Sequence, residues 1–437
     1  MNDLVITNGH VLDAAAGIDA PRDLLVREGA VAAVELPGRL RDVADAEVID
    51  ASGLVVAPGF VDIHVHLREP GQAYKETIAT GTAAAAAGGY TTVVAMPNTV
   101  PVNDSVEVAR WMQDAARGAV VNLFCMPAAT AGGMGKTITD FDALCELAGA
   151  VGFTDDGKPI LADAAMRSAL IAAARCGVPI SQHAEDTRLT GGCSMNAGAT
   201  AFRLGLRGIS TEAETRIVER DIALLHEIEA AEGLRPHLHV QHVSTACALA
   251  AIREAKRRGL HVTCEAAPHH FSLNETAVGD YDTNAKMNPP LRSEVDRLAV
   301  IEGLLDGTVD CIATDHAPHA AHEKEVEFER AANGITGLET ALGLALRVLH
   351  REHQMPLAKV IALLSSNAAA LVLPKQFGTL APGSRADLVL FDPERLWHFD
   401  VVKTRSRSRN TPFHGSPMLG RVRATICGGR VVFQQPD

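Results

Sequence analysis

The chain has 437 residues, enough for one large domain and a small one, and 47% of them are hydrophobic but only 4% aromatic. Its formal net charge of −13 argues against a nucleic-acid-binding surface and against attraction to anionic membranes. No apolar run predicts a membrane span, the N-terminus lacks a signal-peptide pattern, and the eight cysteines include no CxxC pair. We therefore expect a cytoplasmic protein with reduced cysteines.

The two ends of the chain share a strand-rich pattern. Residues 1–57 and 378–437 consist of short apolar strands separated by turn residues. Hairpin turns are expected at Asn8-Gly9, Glu28-Gly29 and Gly428-Gly429. We predict that both termini form one small β-sandwich domain; two separate appendages are the alternative.

The middle of the chain, 58–377, alternates apolar strands with Ala-rich helices. Eight strands are predicted, at 60–66, 91–97, 120–127, 150–155, 178–183, 238–243, 260–266 and 309–314. Helices are predicted between them, at 75–88, 104–117, 139–148, 161–175, 212–232 and 245–258. Eight such units indicate an α/β fold with a (β/α)8 TIM-type barrel. An open doubly wound sheet is the alternative, but it usually carries a Gly-rich turn after its first strand.

The segment FVDIHVHLREPG, residues 60–71, contains a possible metal chelate. Side chains alternate between the two faces of a strand, so His64 and His66 point the same way. Two imidazoles at one strand end can bind a metal, although a bare HxH pair can also be a pair of surface or core histidines. The other strands must supply the missing ligands.

The carboxyl ends of barrel strands are where such folds place their chemistry. Further predicted strands end in polar residues, namely Asn98, Asp155-Asp156, His183, His242 and Asp315-His316. Each alone could be a core residue or a helix cap. Together with the HxH pair they would bring four histidines and at least two aspartates to one rim, a set that suits zinc or a similar divalent metal.

The remaining histidines have simpler explanations. Surface or packing positions are predicted for His10, His226, His237, His350, His353, His398 and His414. His239 and His261 lie inside predicted strands and can be core residues. His269 and His270 follow the seventh strand, and a supporting role beside the rim stays open for them.

Nine motifs spread over nearly the whole chain carry a family resemblance: HVHLREPG, MPNT, FTDDG, QHAED, HVSTA, PHH, KMNPPLR, ATDHAPH and GITGLET. As a set they resemble the dihydroorotases of the amidohydrolase superfamily, most closely the bacterial class I type. The resemblance implies reversible cyclisation of N-carbamoyl-L-aspartate to L-dihydroorotate, a step of pyrimidine biosynthesis. It also implies a metal-bound hydroxide as nucleophile, an aspartate as acid and base, and one or two zinc ions per subunit, with two expected.

The resemblance implies a metal ligand set. His64 and His66 match the ligands of the first ion, His183 and His242 match those of the second, and Asp315 matches the acid that contacts the first ion and carries the proton.

The group that bridges the two ions has competing candidates. Many relatives use a carbamylated lysine on the fourth strand, but FTDDG has none at the strand end. The class I pattern implies Asp156 in that role. Asp155 is the alternative, although alternation would send it to the opposite face. Lys158 lies beyond, in the turn.

The resemblance also implies the substrate contacts, at His66, Arg68, Asn98, Asn288, His319, Asn333 and Gly334. The planar fork of Arg68 can bind a substrate carboxylate through two hydrogen bonds. An ordinary salt bridge to Glu69 or Glu76 is the alternative for this arginine. The charged segment 319–334 is either a lid that excludes water or a solvated helix start.

Other functions stay open beside the main one. Another cyclic amidase, a hydantoinase or an allantoinase, would use the same metal chemistry, but Arg68, Asn98 and the missing lysine favour dihydroorotase. A catalytically silent partner of aspartate carbamoyltransferase is disfavoured because every expected ligand type is present. The expected ligand is a small-molecule substrate, and both a homodimer and an association with aspartate carbamoyltransferase stay open.

Overall fold

The structure is a computed structural model that describes residues 3–41 and 43–435. Numbered along the chain, its strands are β1 (Leu4–Asp13), β2 (Ile18–Arg27), β3 (Ala30–Glu35), β4 (Glu47–Asp50), β5 (Val55–Pro58), β6 (Phe60–Val65), β7 (Tyr90–Ala95), β8 (Asn122–Cys125), β9 (Ile180–Gln182), β10 (Met195–Asn196), β11 (Gly208–Ile209), β12 (Leu238–Val240), β13 (Val262–Ala266), β14 (Cys311–Ile312), β15 (Leu388–His398), β16 (Pro417–Cys427) and β17 (Arg430–Gln434).

The α-helices are α1 (Ile78–Ala87), α2 (Val106–Ala115), α3 (Phe141–Ala148), α4 (Asp163–Cys176), α5 (Thr187–Thr190), α6 (Ala199–Leu204), α7 (Glu212–Glu232), α8 (Ala246–Arg257), α9 (Pro268–Ser272), α10 (Glu294–Asp306), α11 (Ala321–Lys324), α12 (Ala341–Ala345), α13 (Leu357–Leu364) and α14 (Ser366–Val372). Short 3-10 helices occur at Ala116–Gly118, Ala131–Gly133, Glu275–Val278, Thr283–Ala285 and Val401–Lys403, and a π-helix at Leu346–Glu352. Within the described part of the chain, no helix is both long and apolar enough to cross a membrane.

One mixed sheet contains strands from both ends of the chain. Its order is β17-β16-β15-β5-β1-β2-β3, with β4 pairing on β1. Side chains from both ends pack into one apolar cluster on this sheet, including Leu4, Ile6, Leu24, Leu388 and Ile426. The division into a domain of residues 1–57 plus 378–437 and a domain of residues 58–377 stays a prediction. Residues 1, 2, 42, 436 and 437 lie outside the described residues.

Two of the three predicted hairpin turns join strands as expected, at Glu28-Gly29 and Gly428-Gly429. The turn predicted at Asn8-Gly9 is wrong, because β1 continues through it and only its register against β2 shifts. Asn8 has a φ of 60°, which asparagine tolerates better than most residues. A Cβ on Gly9 would lie 2.5 Å from Val56 Cγ2, so the glycine serves a bulge that faces a neighbouring strand.

Parallel strands with intervening helices form the middle of the chain. One sheet has the order β6-β7-β8 and another the order β14-β13-β12-β9, all with parallel pairs. Isolated parallel bridges join Val65 to His316 and Phe153 to Ile180. The result is a mixed α/β fold in which consecutive parallel strands are connected through helices.

The fourth predicted strand, 150–155, is wrong as a regular strand. Phe153 forms only an isolated bridge, in which its N–H donates to Pro179 O (3.1 Å). On the other side, the N–H of Thr154 donates to Pro127 O (3.1 Å). The N–H groups of Ser181 and Ala129 return hydrogen bonds to Phe153 O (2.8 Å) and Thr154 O (3.3 Å). The next pair on each side would need an N–H from Pro179 or Pro127, which have none, so the ladder does not continue. The segment is buried all the same, and it leads directly into Asp155 and Asp156.

We expect His237 to make the protein less stable in mild acid. Burial, followed by the nearby His261 and His239, lowers the pKa of His237 from 6.5 to about 2. The unfolded chain therefore takes up a proton below about pH 6.5 that the folded chain does not, and stability falls as the pH falls. The loss is about 2 kcal/mol between pH 6.5 and pH 5, at roughly 1.4 kcal/mol per pH unit.

Urea unfolding at pH 7 and pH 5 checks this expectation. The wild type is expected to lose more stability between the two pH values than the variant His237→Gln. An equal loss in both proteins would contradict the role of His237.

Candidate metal centre

Asp156 lies in the middle of the four predicted ligand histidines. Its Oδ1 is 3.3 Å from His64 Nε2 and 3.8 Å from both His183 Nδ1 and His242 Nε2. Its Oδ2 is 3.4 Å from His66 Nε2. The structure thus brings together side chains that lie up to 178 residues apart in the sequence, from His64 to His242.

Asp315 lies on the side of the cluster formed by the HxH pair. Its Oδ1 is 3.1 Å from His66 Nε2 and 3.5 Å from His64 Nε2. Burial raises the pKa of Asp315, but His64 and His66 outweigh it and hold the pKa well below its usual range. On the other side of the cluster, His183 Nδ1 and His242 Nε2 are 2.9 Å apart.

The donor set fits a divalent metal. Three overlapping groups have potential ligand atoms within 4.8 Å of one another, and all of their members are buried: His64, His66 and Asp156; His64, His242 and Asp315; Asp156, His183 and His242. His64 Nε2 faces Asp156 and Asp315 without a hydrogen-bond partner among the described residues. Buried imidazoles with carboxylates are the ligands that zinc and similar ions prefer.

Asp155 is turned away from the histidines. Its Oδ1 accepts from the N–H of Thr130 (2.9 Å), and its Oδ2 accepts from the Thr130 hydroxyl and from the N–H of Gly135 (3.2 Å). Lys158 is exposed, with Nζ 3.9 Å from Met134 Sδ. Of the candidates at the end of the FTDDG segment, only Asp156 therefore points into the cluster.

Three of the four histidines are held from behind by residues that the sequence reasoning did not assign this role. His64 Nδ1 lies 2.5 Å from Glu265 Oε1, and His183 Nε2 lies 2.9 Å from Glu185 Oε2. The third contact joins His66 Nδ1 to Asn98 Oδ1 at 2.8 Å. The supporting role of Glu185 could have been predicted, because Glu185 follows His183 within the QHAED motif. Glu265 lies in an apolar strand, and no sequence pattern indicates its contact with His64.

Arg68 is buried beside the cluster and forms no salt bridge with Glu69 or Glu76. Its Nε donates to Pro318 O (3.1 Å), and its Nη2 lies 3.3 Å from His319 Nε2. Only 7% of Arg68 is exposed, and its φ is 60°. Glu69 instead accepts from the N–H of Ile78 (2.7 Å). Two of the predicted substrate residues, Arg68 and His319, therefore contact each other.

The other predicted substrate residues are distributed around the cluster. Asn98 Nδ2 lies 3.4 Å from Asp156 Oδ2, and Asn288 Nδ2 donates to Glu185 Oε2 (2.8 Å). Asn333 is exposed, while Gly334 is buried and its N–H donates to Lys286 O (3.0 Å).

The segment 319–334 is held against the protein by two lysines. Lys324 is buried, and its Nζ donates to Ala332 O (2.8 Å). Lys286 Nζ donates to Glu329 O (2.9 Å) and Ala331 O (2.8 Å). This lysine therefore contacts the segment rather than pointing a free charge at a substrate.

Comparisons with known proteins agree over the whole chain. Residues 53–247 match a family model described as "Dihydro-orotase-like". Residues 284–433 match a second family model, described as "Amidohydrolase family". The chain is 47% identical to a dihydroorotase from Anaeromyxobacter sp. (strain K), across 99% of this chain and 98% of that protein. It is 48% identical to a dihydroorotase from Syntrophotalea carbinolica, across 99% and 100%.

Solved structures with the same overall fold include a hydantoinase and a dihydropyrimidinase. The L-hydantoinase from Arthrobacter aurescens has a TM-score of 0.86 at 25% identity, over 100% of this chain and 97% of that chain. The dihydropyrimidinase from Brevibacillus agri has a TM-score of 0.85 at 25% identity, over 99% and 95%. These similarities and the full-length relatives mean that the chain belongs to the dihydroorotase family of the amidohydrolase superfamily.

Proposed function

We propose that the protein is a zinc-dependent dihydroorotase, which interconverts N-carbamoyl-L-aspartate and L-dihydroorotate in pyrimidine biosynthesis. Relatives named dihydroorotase match it at 45–48% identity over nearly their full length. The observation that carries the proposal is the buried cluster of four imidazoles and two carboxylates with the guanidinium of Arg68 beside it. The cluster suits hydrolysis of a cyclic amide, and the arginine suits a substrate that carries a carboxylate.

Two zinc ions per subunit are proposed. His64, His66 and Asp315 would hold the first, His183 and His242 would hold the second, and Asp156, which lies within 3.8 Å of all four histidines, would help to hold both. Such ions, when bound, lower the pKa of water from 15.7 to roughly 7 and polarise a carbonyl oxygen. Every proposed ligand is buried, which keeps bulk water from competing for these positions.

Asp315 is the proposed acid and base. In ring opening it accepts the proton of the attacking water and delivers it to the ring nitrogen that leaves. In cyclisation it takes the proton from the attacking ureido nitrogen and returns it to the departing water. Its low pKa keeps it ionised. A positioned acid or base contributes roughly 10²–10⁴-fold to a rate.

Substrate recognition is proposed for the residues around the cluster. Arg68 offers its fork to the substrate carboxylate, with Asn98 and His319 completing that contact. On the other side, Asn288 and the backbone at 333–334 face the ring amides. His66 takes part both as ligand and as a wall of the substrate site. The segment 319–334, held by Lys324 and Lys286, covers the site and excludes water during cyclisation.

The proposed architecture places this site at one end of a closed (β/α)8 barrel formed by residues 58–377, with a β-sandwich domain from 1–57 and 378–437. The bridge between Val65 and His316 supports closure between the first and eighth strands. On the opposite side, the N–H of Val151 donates to Cys125 O (3.3 Å) and Phe153 pairs with Ile180, which links the two parallel sheets through the irregular fourth segment.

A metal-replacement assay tests the function. Purified protein is treated with a chelator, zinc is returned, and ring opening of dihydroorotate is measured before and after. Activity is expected to disappear and then return. Zinc-dependent turnover of hydantoin or allantoin, with no turnover of dihydroorotate, would overturn the proposed substrate. That result would favour the alternative function, a hydantoinase or an allantoinase.

The variant Arg68→Lys is expected to raise the KM for dihydroorotate by about 10- to 100-fold, because lysine keeps the charge but loses the planar fork. Hydrogen bonds to a charged group contribute roughly 1.5–3 kcal/mol, which corresponds to that range. Steady-state kinetics measures the change, with metal content as the control. An unchanged KM would remove Arg68 from the substrate site.

A further inference from the structure

We propose that Glu265 is a positioning residue that holds both halves of the metal centre with one carboxylate. This inference rests on the proposed metal site but extends to a residue outside the ligand set. Glu265 lies on β13 and is 1% exposed, and its carboxylate contacts the His64 ring and the backbone N–H of His242. Three hydrogen bonds support this role.

The first hydrogen bond sets the tautomer of His64. An ionised carboxylate can only accept, so the 2.5 Å contact between Glu265 Oε1 and His64 Nδ1 requires the hydrogen to be on Nδ1. The lone pair of His64 is then on Nε2, the atom that faces Asp156 and Asp315. Glu265 therefore selects the form of His64 that can bind a metal and fixes the rotation of its ring.

The second hydrogen bond holds the backbone of a ligand on the other side of the centre. The N–H of His242 donates to the same Glu265 Oε1 at 3.3 Å. His242 has a φ of 30°, a conformation that costs energy for a residue with a side chain. The acceptor offered by Glu265 helps to keep this turn in place, and the turn directs the His242 ring towards His183.

The third hydrogen bond fixes Glu265 itself. His239 Nε2 lies 3.1 Å from Glu265 Oε2, so it donates, and the opposite nitrogen, Nδ1, accepts from the Thr263 hydroxyl at 2.9 Å. That oxygen in turn accepts from His237 Nε2 at 2.7 Å. In this series of hydrogen bonds each group donates to the next, from His237 through Thr263 and His239 to Glu265. The orientation of the Glu265 carboxylate is therefore fixed by residues in the interior of the protein.

The other residues that contact the ligand histidines from outside the cluster, Asn98 and Glu185, differ from Glu265 in what else they contact. Asn98 contacts His66 and is itself a predicted substrate residue, and Glu185 contacts both His183 and the predicted substrate residue Asn288. Glu265 contacts a ligand of each proposed ion, and none of its side-chain hydrogen bonds or ion pairs among the described residues is to a predicted substrate residue. Its loss should therefore affect metal binding rather than substrate binding.

The variant Glu265→Gln tests the proposal, because it keeps the shape but loses the charge and one of the acceptor oxygens. Zinc affinity is measured by competition with a chromophoric chelator, and the visible spectrum is recorded after cobalt substitution. We expect a 10- to 100-fold loss of zinc affinity and a changed cobalt spectrum. The matched control is Glu339→Gln, since Glu339 is hydrogen-bonded to the segment 404–406 and does not contact the cluster.

Two further measurements keep the outcome decisive. His239→Gln leaves Glu265 in place and removes its supporting partner, and a smaller loss in the same direction is expected. A Glu265→Gln variant with the zinc affinity and cobalt spectrum of the wild type overturns the proposal. If Glu265→Gln does not fold, the same two measurements on His239→Gln decide, and wild-type values in that variant overturn the proposal. A wild-type protein that binds zinc but does not turn over dihydroorotate contradicts the proposed function alone, and the affinity comparison still decides the role of Glu265.

Discussion

Replacing Asp315 by Asn is expected to lower kcat by about 10²–10⁴-fold and to leave the protein folded. Asparagine has nearly the same shape and tolerates the φ of 47° at this position. It cannot accept the proton that the proposed reaction must move. Circular dichroism separates the expected loss from unfolding, and the zinc content of the variant separates it from the loss of a metal ligand. Steady-state kinetics then measures the effect on proton transfer.

The control for this variant is Asp387→Asn. Asp387 is also buried, but it lies near the sheet built from both termini, where it accepts from Asn122 Nδ2 (2.8 Å) and from the N–H of Gly428 (2.7 Å). This variant is expected to lose stability and to keep kcat. If Asp315→Asn retained more than about a tenth of the wild-type kcat, another group would have to carry the proton.

Asp156→Ala is expected to lose at least one bound zinc ion and to reduce turnover by about 10³-fold or more. Each of the four histidines has a nitrogen within 3.8 Å of this carboxylate, so its removal leaves the two sides of the cluster without their common anion. Metal ions contribute several kcal/mol to such reactions, and each 1.36 kcal/mol corresponds to tenfold in rate. Elemental analysis of the purified variant measures the zinc content directly.

Asp155→Ala is the matched control, since it removes the neighbouring carboxylate in the same segment. This variant should keep its zinc and lose about 1–3 kcal/mol of stability, because Asp155 accepts hydrogen bonds from Thr130 and Gly135. Loss of zinc from Asp155→Ala but not from Asp156→Ala would reverse the assignment of the bridging residue.

Local charge explains how a chain of net charge −13 can bind an anionic substrate. Lys286 donates to backbone carbonyls, and Arg292 donates to Ser244 and Asn196. Arg68 is the one of these three whose guanidinium lies beside the cluster, next to His319. Attraction of the substrate therefore depends on this arginine and on the proposed metal ions.

The sequence was sufficient to predict most of the strands and the types of side chain that the structure brings together in the cluster. Apolar β-branched runs that end in His64, His183 or Asp315 predict a strand followed by a functional residue, because both signals are local in the chain. Local sequence patterns did not predict the bulge at Gly9 or the irregular fourth strand. Both depend on neighbours that are distant in sequence, namely Val56 in one case and the prolines at 127 and 179 in the other.

The sequence by itself determined which chemistry this protein can perform, since the family motifs and the residue types at the strand ends are enough to indicate a metal-dependent amidase. Only the tertiary structure decided which aspartate points into the cluster, that Arg68 contacts His319, and that Glu265 supports both halves of the metal centre. The physical reason is that a hydrogen bond depends on distance and direction between atoms. Glu265 and His64 are 201 residues apart in the chain, and no local pattern encodes their meeting.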